Sequence, residues 1–134
     1  MSNSEIKVVV VGGGAAGIEL SLAMRSRWGK LLRMTKNDTA IAPTQLSVIL
    51  LDSNQSLMPG ESPACRAALN KVMNKYEIEV RHNVMVNNVT SSHILIDSED
   101  AKGDKTDGEI AYTHCIWATG AEGKVVDLLH YFLN

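Results

Sequence analysis

The amino-acid sequence predicts an α/β protein of the Rossmann-like, three-layer type, and three observations carry this prediction. Strand-like and helix-like patterns alternate over the first 80 residues in the order βαβαβ. A glycine-rich turn joins the first strand to the first helix, and three short alternating strands follow the third strand. Alternation of strands and helices requires crossover connections and gives a parallel sheet. We therefore expect a parallel sheet, a three-stranded antiparallel meander that covers one face in place of a last helix, and a final parallel strand.

The first part of the chain contains the βαβαβ unit. Nearly unbroken β-branched and aliphatic runs are typical of strands buried on both faces, and apolar residues at helical spacing follow each of the first two runs. Gly29 weakens or breaks the first helix, while Ser62 is expected to cap the second and Pro63 to open it. The expected elements are a strand over 6–11, a helix over 15–34, a strand over 46–51, a helix over 63–76 and a strand over 78–80.

The second part of the chain changes to short alternating segments separated by polar turns, which is typical of an antiparallel meander. We expect strands over 84–89, 93–97 and 109–113, a long polar turn over 99–108, and a last apolar strand over 114–118 that places Trp117 in the core. The domain organisation expected is one domain over 1–123 with an extended segment at 28–45, then a tail or a remnant of a neighbouring domain over 124–134, with a short helix at 128–133.

Composition excludes several classes of protein. The 134 residues carry 13 basic and 15 acidic side chains, for a net charge of −2, which argues against a dedicated nucleic-acid-binding protein. The longest apolar run, 8–18, is too short for a transmembrane segment, and the polar start lacks the features of a signal peptide. Cys65 and Cys115 form no CxxC motif, and the four histidines share no metal-ligand spacing. We expect a reducing, cytoplasmic location and no metal.

A cluster of basic residues lies in the second half of the first predicted helix. It is typical of a solvated helix end, where cations suit the negative end of the helix dipole. Contact with a membrane surface or with another anionic partner is the alternative interpretation. The cluster consists of Arg25, Arg27, Lys30, Arg33 and Lys36.

The glycine-rich turn has the spacing GxGxxG, with Gly12, Gly14 and Gly17 between a strand and a helix. This context is the one that a dinucleotide-binding loop requires. The first glycine permits the sharp turn, the second lets a pyrophosphate approach the backbone, and the third lets the helix pack closely on the strand. Ala15 and Ala16 keep the rim of the loop small. The first-turn amides and the helix dipole favour an anion there.

A dinucleotide site also needs an acceptor for the adenosine ribose at the end of the second strand, where Asp52 stands. It lies 35 residues beyond Gly17, against about 20 in the common fingerprint, so the extended segment at 28–45 is interpreted as an insertion. A carboxylate accepts hydrogen bonds from a ribose hydroxyl and repels a 2′-phosphate. No Arg or Lys occurs between Ser53 and Cys65, which favours NAD(H) over NADP(H). An ordinary turn acid is the alternative for this position.

Two stretches carry a resemblance to a known family. The stretch VVVVGGGAAGIELSLAM at 8–24 resembles the NADH-binding domain of the pyridine nucleotide-disulfide oxidoreductase superfamily, and CIWATGAEG at 115–123 resembles the strand end that closes such domains. The nearest branch is that of the type-2 NADH dehydrogenase-like proteins, including those associated with selenide, water dikinase. Complete members hold FAD on a separate domain. With one glycine loop, this sequence resembles a single domain of a larger flavoenzyme.

The resemblance implies roles for individual residues. The glycine loop and the first helical turn would hold the pyrophosphate, and Asp52 would hold the adenosine ribose. Glu19 would lie near the nicotinamide end, and Ala118, Thr119 and Gly120 would pass under the dinucleotide. The implied partner is a flavin domain of the same or another chain, so the isolated chain is expected to bind NADH weakly and to have negligible turnover.

The sequence leaves two alternatives open. NAD and FAD share their ADP half, so the same loop fits the FAD-binding domain of the same superfamily. A non-catalytic dinucleotide-binding module is the second alternative.

Overall fold

The computed structural model describes residues 5–36 and 45–119. Within these ranges the chain forms two helices and seven strands, and the expected α/β class is confirmed. In chain order they are β1 (Glu5–Val11), α1 (Ala15–Lys36), β2 (Gln45–Leu51), α2 (Pro63–Lys75), β3 (Ile78–Arg81), β4 (Val84–Val89), β5 (His93–Glu99), β6 (Lys105–Ala111) and β7 (His114–Trp117).

The strands form two sheets. Four parallel strands lie in the order β3-β2-β1-β7, so β1 is central although it comes first in the chain. Val8 on β1 faces Val48 on β2 and His114 on β7 in the register. Strands β4, β5 and β6 form the antiparallel meander. This arrangement confirms the predicted parallel sheet, the meander and the final parallel strand.

The two faces of the parallel sheet bury different cores. Side chains alternate along β1, so Val8 and Val10 face the cluster formed with α1 and α2, while Val9 and Val11 face the meander. The meander contributes buried isoleucines to the second cluster, among them Ile94 at 0 % exposure. The sheet is therefore covered on both faces, which explains why its strands read as continuous apolar runs.

The two helices begin where the sequence predicts. At α2, Ser62 is the N-cap, its Oγ accepts the Cys65 backbone N–H at 3.2 Å, and Pro63 follows as the first helical residue. Helix α1 runs through Gly29 to Lys36 without the expected break, because one glycine costs a helix only about 1 kcal/mol. The extended segment is helical up to that point, and residues 37–44 lie outside the described residues.

The turn of the β5–β6 hairpin is shorter than the sequence predicts. Polar residues at 99–108 were interpreted as a loop, but β5 reaches Glu99 and β6 begins at Lys105, and these two oppositely charged residues face each other in the register. The turn at its tip is held by Asp100, which accepts the backbone N–H groups of Lys102 and Asp104 at 2.9 Å each. Charge composition indicated a loop, but cross-strand pairing decides the structure.

Some expectations fall outside the described residues. These are Gly120, the tail at 124–134 and the short helix at 128–133. In the described part of the chain, neither helix has the combination of length and apolarity that crossing a membrane requires.

Candidate functional site

The candidate site lies at the carboxyl edge of the parallel sheet, where β1, β2 and β7 end side by side. The glycine loop follows β1, Asp52 follows β2, and Ala118 and Thr119 follow β7. Gly12 donates its N–H to the Leu51 carbonyl at 3.0 Å. Ala118 donates its N–H to the Val11 carbonyl at 2.8 Å. Backbone hydrogen bonds therefore hold the three strand ends together at one edge.

Gly12 makes the turn out of β1 in a conformation that favours glycine. Its φ is +123°, and a Cβ atom there would lie 3.0 Å from the carbonyl carbon and oxygen of Ala118 and 3.1 Å from the Thr119 nitrogen. Any side chain would push the end of β7 away from the loop. The structure thus brings Gly12 together with the segment that follows β7.

Gly17 lets helix α1 pack directly on this turn. A Cβ atom at Gly17 would overlap the Gly12 carbonyl oxygen and lie 2.9 Å from the Gly12 carbonyl carbon. Helix α1 begins at Ala15, and the Ile18 N–H donates to the Gly14 carbonyl at 3.1 Å. The N-terminus of α1 is therefore fixed against the end of β1.

The first turn of α1 carries no charged side chain. Ala15 is buried and Ala16 is half-buried, and the turn contains no acidic residue. The backbone N–H groups of a first helical turn have no intrahelical partner, and the helix dipole places positive charge there. This edge of the sheet can accept an anion on backbone amides alone.

Asp52 lies against the glycine loop with 1 % of its surface exposed. A Cβ atom at Gly13 would overlap its carboxylate, with Asp52 Cγ at 2.5 Å. The carboxylate accepts the Asn54 backbone N–H at 3.2 Å on Oδ1 and contacts His82 Nδ1 at 3.0 Å through Oδ2. The side chain thus faces the loop but is covered by neighbouring groups.

His82 is a site residue that sequence reasoning missed, because the histidines were considered only as metal ligands. It follows β3, the neighbour of β2, and is 31 % exposed. Backbone bonds hold its segment across the end of β2: Asp52 donates its N–H to the Arg81 carbonyl at 2.9 Å, and Val84 donates to the Asp52 carbonyl at 3.0 Å. A histidine directly after a strand that neighbours the Asp52 strand was the signal available in the sequence.

An open groove of about 170 Å³ borders the glycine loop on the meander side. Trp117 and Met85 line it and are 58 % and 59 % exposed, and Thr119 contributes to its wall. The prediction that Trp117 belongs to the core is wrong. Trp117 is the last residue of an outer strand of the described sheet, so it has neighbours on fewer sides than the residues of β1.

The other residues that the sequence singled out differ in their exposure. Glu19 is exposed on α1, and Ala118 is buried at 8 % exposure. Gly120 lies outside the described residues. Cys65 and Cys115 are free thiols, and burial raises the pKa of the Cys115 thiol, which keeps it in its less reactive protonated form.

Comparison with known proteins identifies the family to which the chain is similar. The model of the pyridine nucleotide-disulphide oxidoreductase family matches residues 2–130. The type II NADH:quinone oxidoreductase NdhA of Mycobacterium tuberculosis is 28 % identical over 117 residues, which are 84 % of this chain and 23 % of that protein. The chain therefore spans about a quarter of the length of this relative.

Solved structures share the fold. NDH2 of Plasmodium falciparum in complex with NADH superposes with a TM-score of 0.70 at 22 % identity, over 90 % of this chain and 24 % of that one. The HOCl-induced flavoprotein disulfide reductase RclA of Escherichia coli superposes with a TM-score of 0.58 at 14 % identity, over 88 % of this chain and 22 % of that one.

Proposed function

The chain belongs to the pyridine nucleotide-disulphide oxidoreductase family, and from this premise we propose that it is the NAD(H)-binding domain of an FAD-dependent NADH oxidoreductase. The observation that carries the proposal is the corner at which the glycine loop, the N-terminus of α1 and the Asp52 carboxylate meet. Two similar proteins support it, since one is an NADH:quinone oxidoreductase and the other was solved in complex with NADH.

The pyrophosphate belongs at the first turn of α1. Gly14, Ala15, Ala16 and Gly17 offer backbone N–H groups there, and no side chain larger than a methyl group stands on this turn. Gly12 and Gly17 contribute indirectly, because their lack of a Cβ atom lets the turn pack on the segment after β7 and lets α1 pack on the turn, which fixes the N-terminus of α1 at this edge. The amides and the helix dipole act together on the diphosphate.

The adenosine ribose belongs at Asp52. A carboxylate has about four acceptor positions, and His82 and the Asn54 N–H occupy one on each oxygen. Acceptor capacity therefore remains on both oxygens for a ribose hydroxyl group. The absence of Arg and Lys between Ser53 and Cys65 supports NAD(H) over NADP(H), because no cation in that stretch would hold a 2′-phosphate.

The dinucleotide supplies the hydride, and the residues of this chain hold and orient it. By the resemblance of 8–24 and 115–123, Glu19 lies near the nicotinamide end, and the segment Ala118, Thr119 and Gly120 passes under the dinucleotide. The FAD is held by a flavin domain of the same or another chain. Catalysis then rests on the position of the nicotinamide and not on an acid or base of this domain. We assign the domain to residues 1–123, with 124–134 as a tail or part of a neighbouring domain.

The location follows from the same proposal. NADH is present in the cytoplasm, and free thiols suit a reducing compartment. We place the domain in the cytoplasm, and peripheral contact with a membrane through the exposed Arg27 and the basic residues that follow it on α1 is the alternative. Retention of the purified chain on anionic vesicles, and its release by salt, would distinguish the two.

A charge introduced at Ala16 tests the proposal. Glutamate at this half-buried position suits the helix dipole, so the helix is kept, but it repels a pyrophosphate. We expect Ala16→Glu to weaken NADH binding about tenfold more than the neutral Ala16→Gln, because the two side chains crowd the turn equally and only glutamate repels the pyrophosphate. The readout is NADH fluorescence during titration with the 134-residue chain.

Three results would count against the proposal. Equal NADH affinity of the two Ala16 variants would show that the pyrophosphate does not bind at this turn. The absence of saturation at millimolar NADH would reject NADH binding altogether. A purified chain that is yellow, with a flavin absorbance spectrum, would instead identify the FAD-binding domain of the superfamily.

A further inference from the structure

The contact between His82 and Asp52 points to a role for the histidine in coenzyme choice. His82 Nδ1 lies 3.0 Å from Asp52 Oδ2 at this site. The backbone on both sides of His82 is bonded to the segment that begins at the end of β2. The Asn83 N–H, for example, donates to the Asn54 carbonyl at 3.0 Å. The contact is therefore a fixed part of the corner.

The net charge of this pair depends on the protonation of His82. A neutral imidazole donates its Nδ1 hydrogen to the carboxylate, and a protonated ring does the same with an added positive charge. The hydrogen bond is thus kept in both states, while the charge of the pair changes from −1 to zero. His82 is 31 % exposed, so it exchanges its proton with water, and histidine ordinarily changes charge between about pH 5 and 8.

We propose that His82 sets the discrimination between NADH and NADPH, because its protonation neutralises Asp52 and so weakens the rejection of a 2′-phosphate. This inference rests on the proposed function, with the ribose at Asp52. A 2′-phosphate beside the unneutralised carboxylate is repelled. A protonated His82 offsets that repulsion and has a further N–H donor at Nε2.

Other charged side chains lie on the elements next to His82. They are Glu79 and Arg81 on β3, which pair with each other at 3.3 Å, and Asp97, Glu99 and Lys105 on the meander, which line the groove beside Asn83. The N-terminus of α1 adds a fixed positive dipole at Gly13. Carboxylates, lysine and arginine ordinarily do not titrate between about pH 6 and 8.

The test measures dissociation constants for NADH and NADPH at about pH 6 and about pH 8. The variant is His82→Asn, whose amide can donate from the position of Nδ1 but does not titrate. His93→Asn is the matched control, since His93 lies on the meander and bonds to Ser92. The 2′-phosphate itself titrates near pH 6, and this contribution is equal in all three proteins.

We expect the ratio of the NADPH to the NADH dissociation constant to fall about tenfold more in the unaltered chain than in His82→Asn on going from the higher to the lower pH. His93→Asn should behave as the unaltered chain. A purely structural role would weaken both coenzymes and leave the pH trend as it was, which would overturn the inference. An equal pH trend in all three proteins would do the same.

A second measurement needs no variant. The ring NMR signals of His82 should move toward those of the protonated form when NADPH is added near pH 7 and move less with NADH, since binding and protonation are linked. Equal shifts with both coenzymes would overturn the inference and leave the proposed function standing. Failure of the unaltered chain to bind NADH at either pH would overturn both.

Discussion

The two edges of the parallel sheet are built in opposite ways. At the carboxyl edge, backbone meets backbone, and Gly12 has no room for a side chain beside Ala118. At the amino edge, a side chain closes the structure: the Arg25 guanidinium donates to the carbonyl oxygens of Leu46 at 2.8 Å, of Tyr76 at 2.9 Å and of Glu77 at 2.6 Å.

This difference indicates that the amino edge contributes to stability, while the carboxyl edge contains the proposed binding site. Arg25 satisfies backbone acceptors from the start of β2 and from the turn between α2 and β3, so it ties three elements together. The carboxyl edge leaves the first-turn amides of α1 for a ligand. At the amino edge, carbonyl groups of the protein accept the hydrogen bonds of the charged Arg25 side chain, whereas at the carboxyl edge the positive end of the α1 dipole lies where the pyrophosphate is proposed to bind. Changes at the two edges should therefore have different consequences.

The largest effect is expected at the carboxyl edge from Gly17→Ala. The added methyl group overlaps the Gly12 carbonyl, so α1 must move away from β1, and we expect a loss of at least about 3 kcal/mol in the free energy of unfolding. The measurement is thermal or urea unfolding followed by circular dichroism. Gly60→Ala is the control, because a Cβ atom there has nothing within 4 Å. Equal stability of the two variants would contradict the close packing of this corner.

An intermediate effect is expected at the amino edge from Arg25→Gln. The variant loses charge-assisted bonds to three carbonyl groups, which should lower the free energy of unfolding by about 3 kcal/mol. NADH affinity of the folded protein should stay within about twofold, because Arg25 lies away from the loop. Arg27→Gln, at an exposed position of the same helix, serves as the control and should be nearly neutral. A loss of NADH affinity as large as the loss of stability would break the separation between the two edges.

The smallest effect is expected on the meander, which lies on a face of the sheet and not at either edge. Asp97 and Asp107 face each other across β5 and β6. A hydrogen bond from Asn87 lowers the pKa of Asp97, with Asp107 also contributing, while the hydrogen bond and charge of Asp97 raise the pKa of Asp107 above its usual 3.8. A raised pKa means that stability falls as the pH rises through it, because Asp107 then becomes charged beside Asp97.

We expect Asp107→Asn to raise the melting temperature by roughly 2 °C at neutral pH, and this gain should vanish near pH 3, where the native Asp107 is protonated. Thermal unfolding at both pH values gives the answer, with Glu109→Gln on the same strand as the control. A gain that persists at the lower pH would show that charge repulsion is not its source.

Much of the fold could be predicted because its signals are local. The β-branched runs that became β1 and β2, and the Ser62 and Pro63 start of α2, specify their own structure within a few residues. The start of β6 could not be predicted in this way. Its charged residues look like a loop, and they form a strand only because β5 offers partners such as Glu99 for Lys105.

The parts of the site that were missed depend on distant partners. His82 meets Asp52 only because β3 lies next to β2 in the sheet, and the spacing of 30 residues carries no signal of its own. Arg25 was interpreted as one member of a solvated basic cluster, yet its partners are carbonyl groups 21 to 52 residues away. Trp117 was assigned to the core on its apolar character, but an outer strand end leaves it exposed.

The position of β7 beside the central strand has a consequence for how the protein is made. Val8 pairs with His114, and the turn at Gly12 packs on Ala118, so the last described strand supplies the second neighbour of the central strand β1. A nascent polypeptide leaving the ribosome holds β1 with one flank open until residue 118 has emerged. Pairing over such a sequence separation is slow to form. The corner at the carboxyl edge is therefore completed only after residue 118 has been synthesised, more than 100 residues after β1.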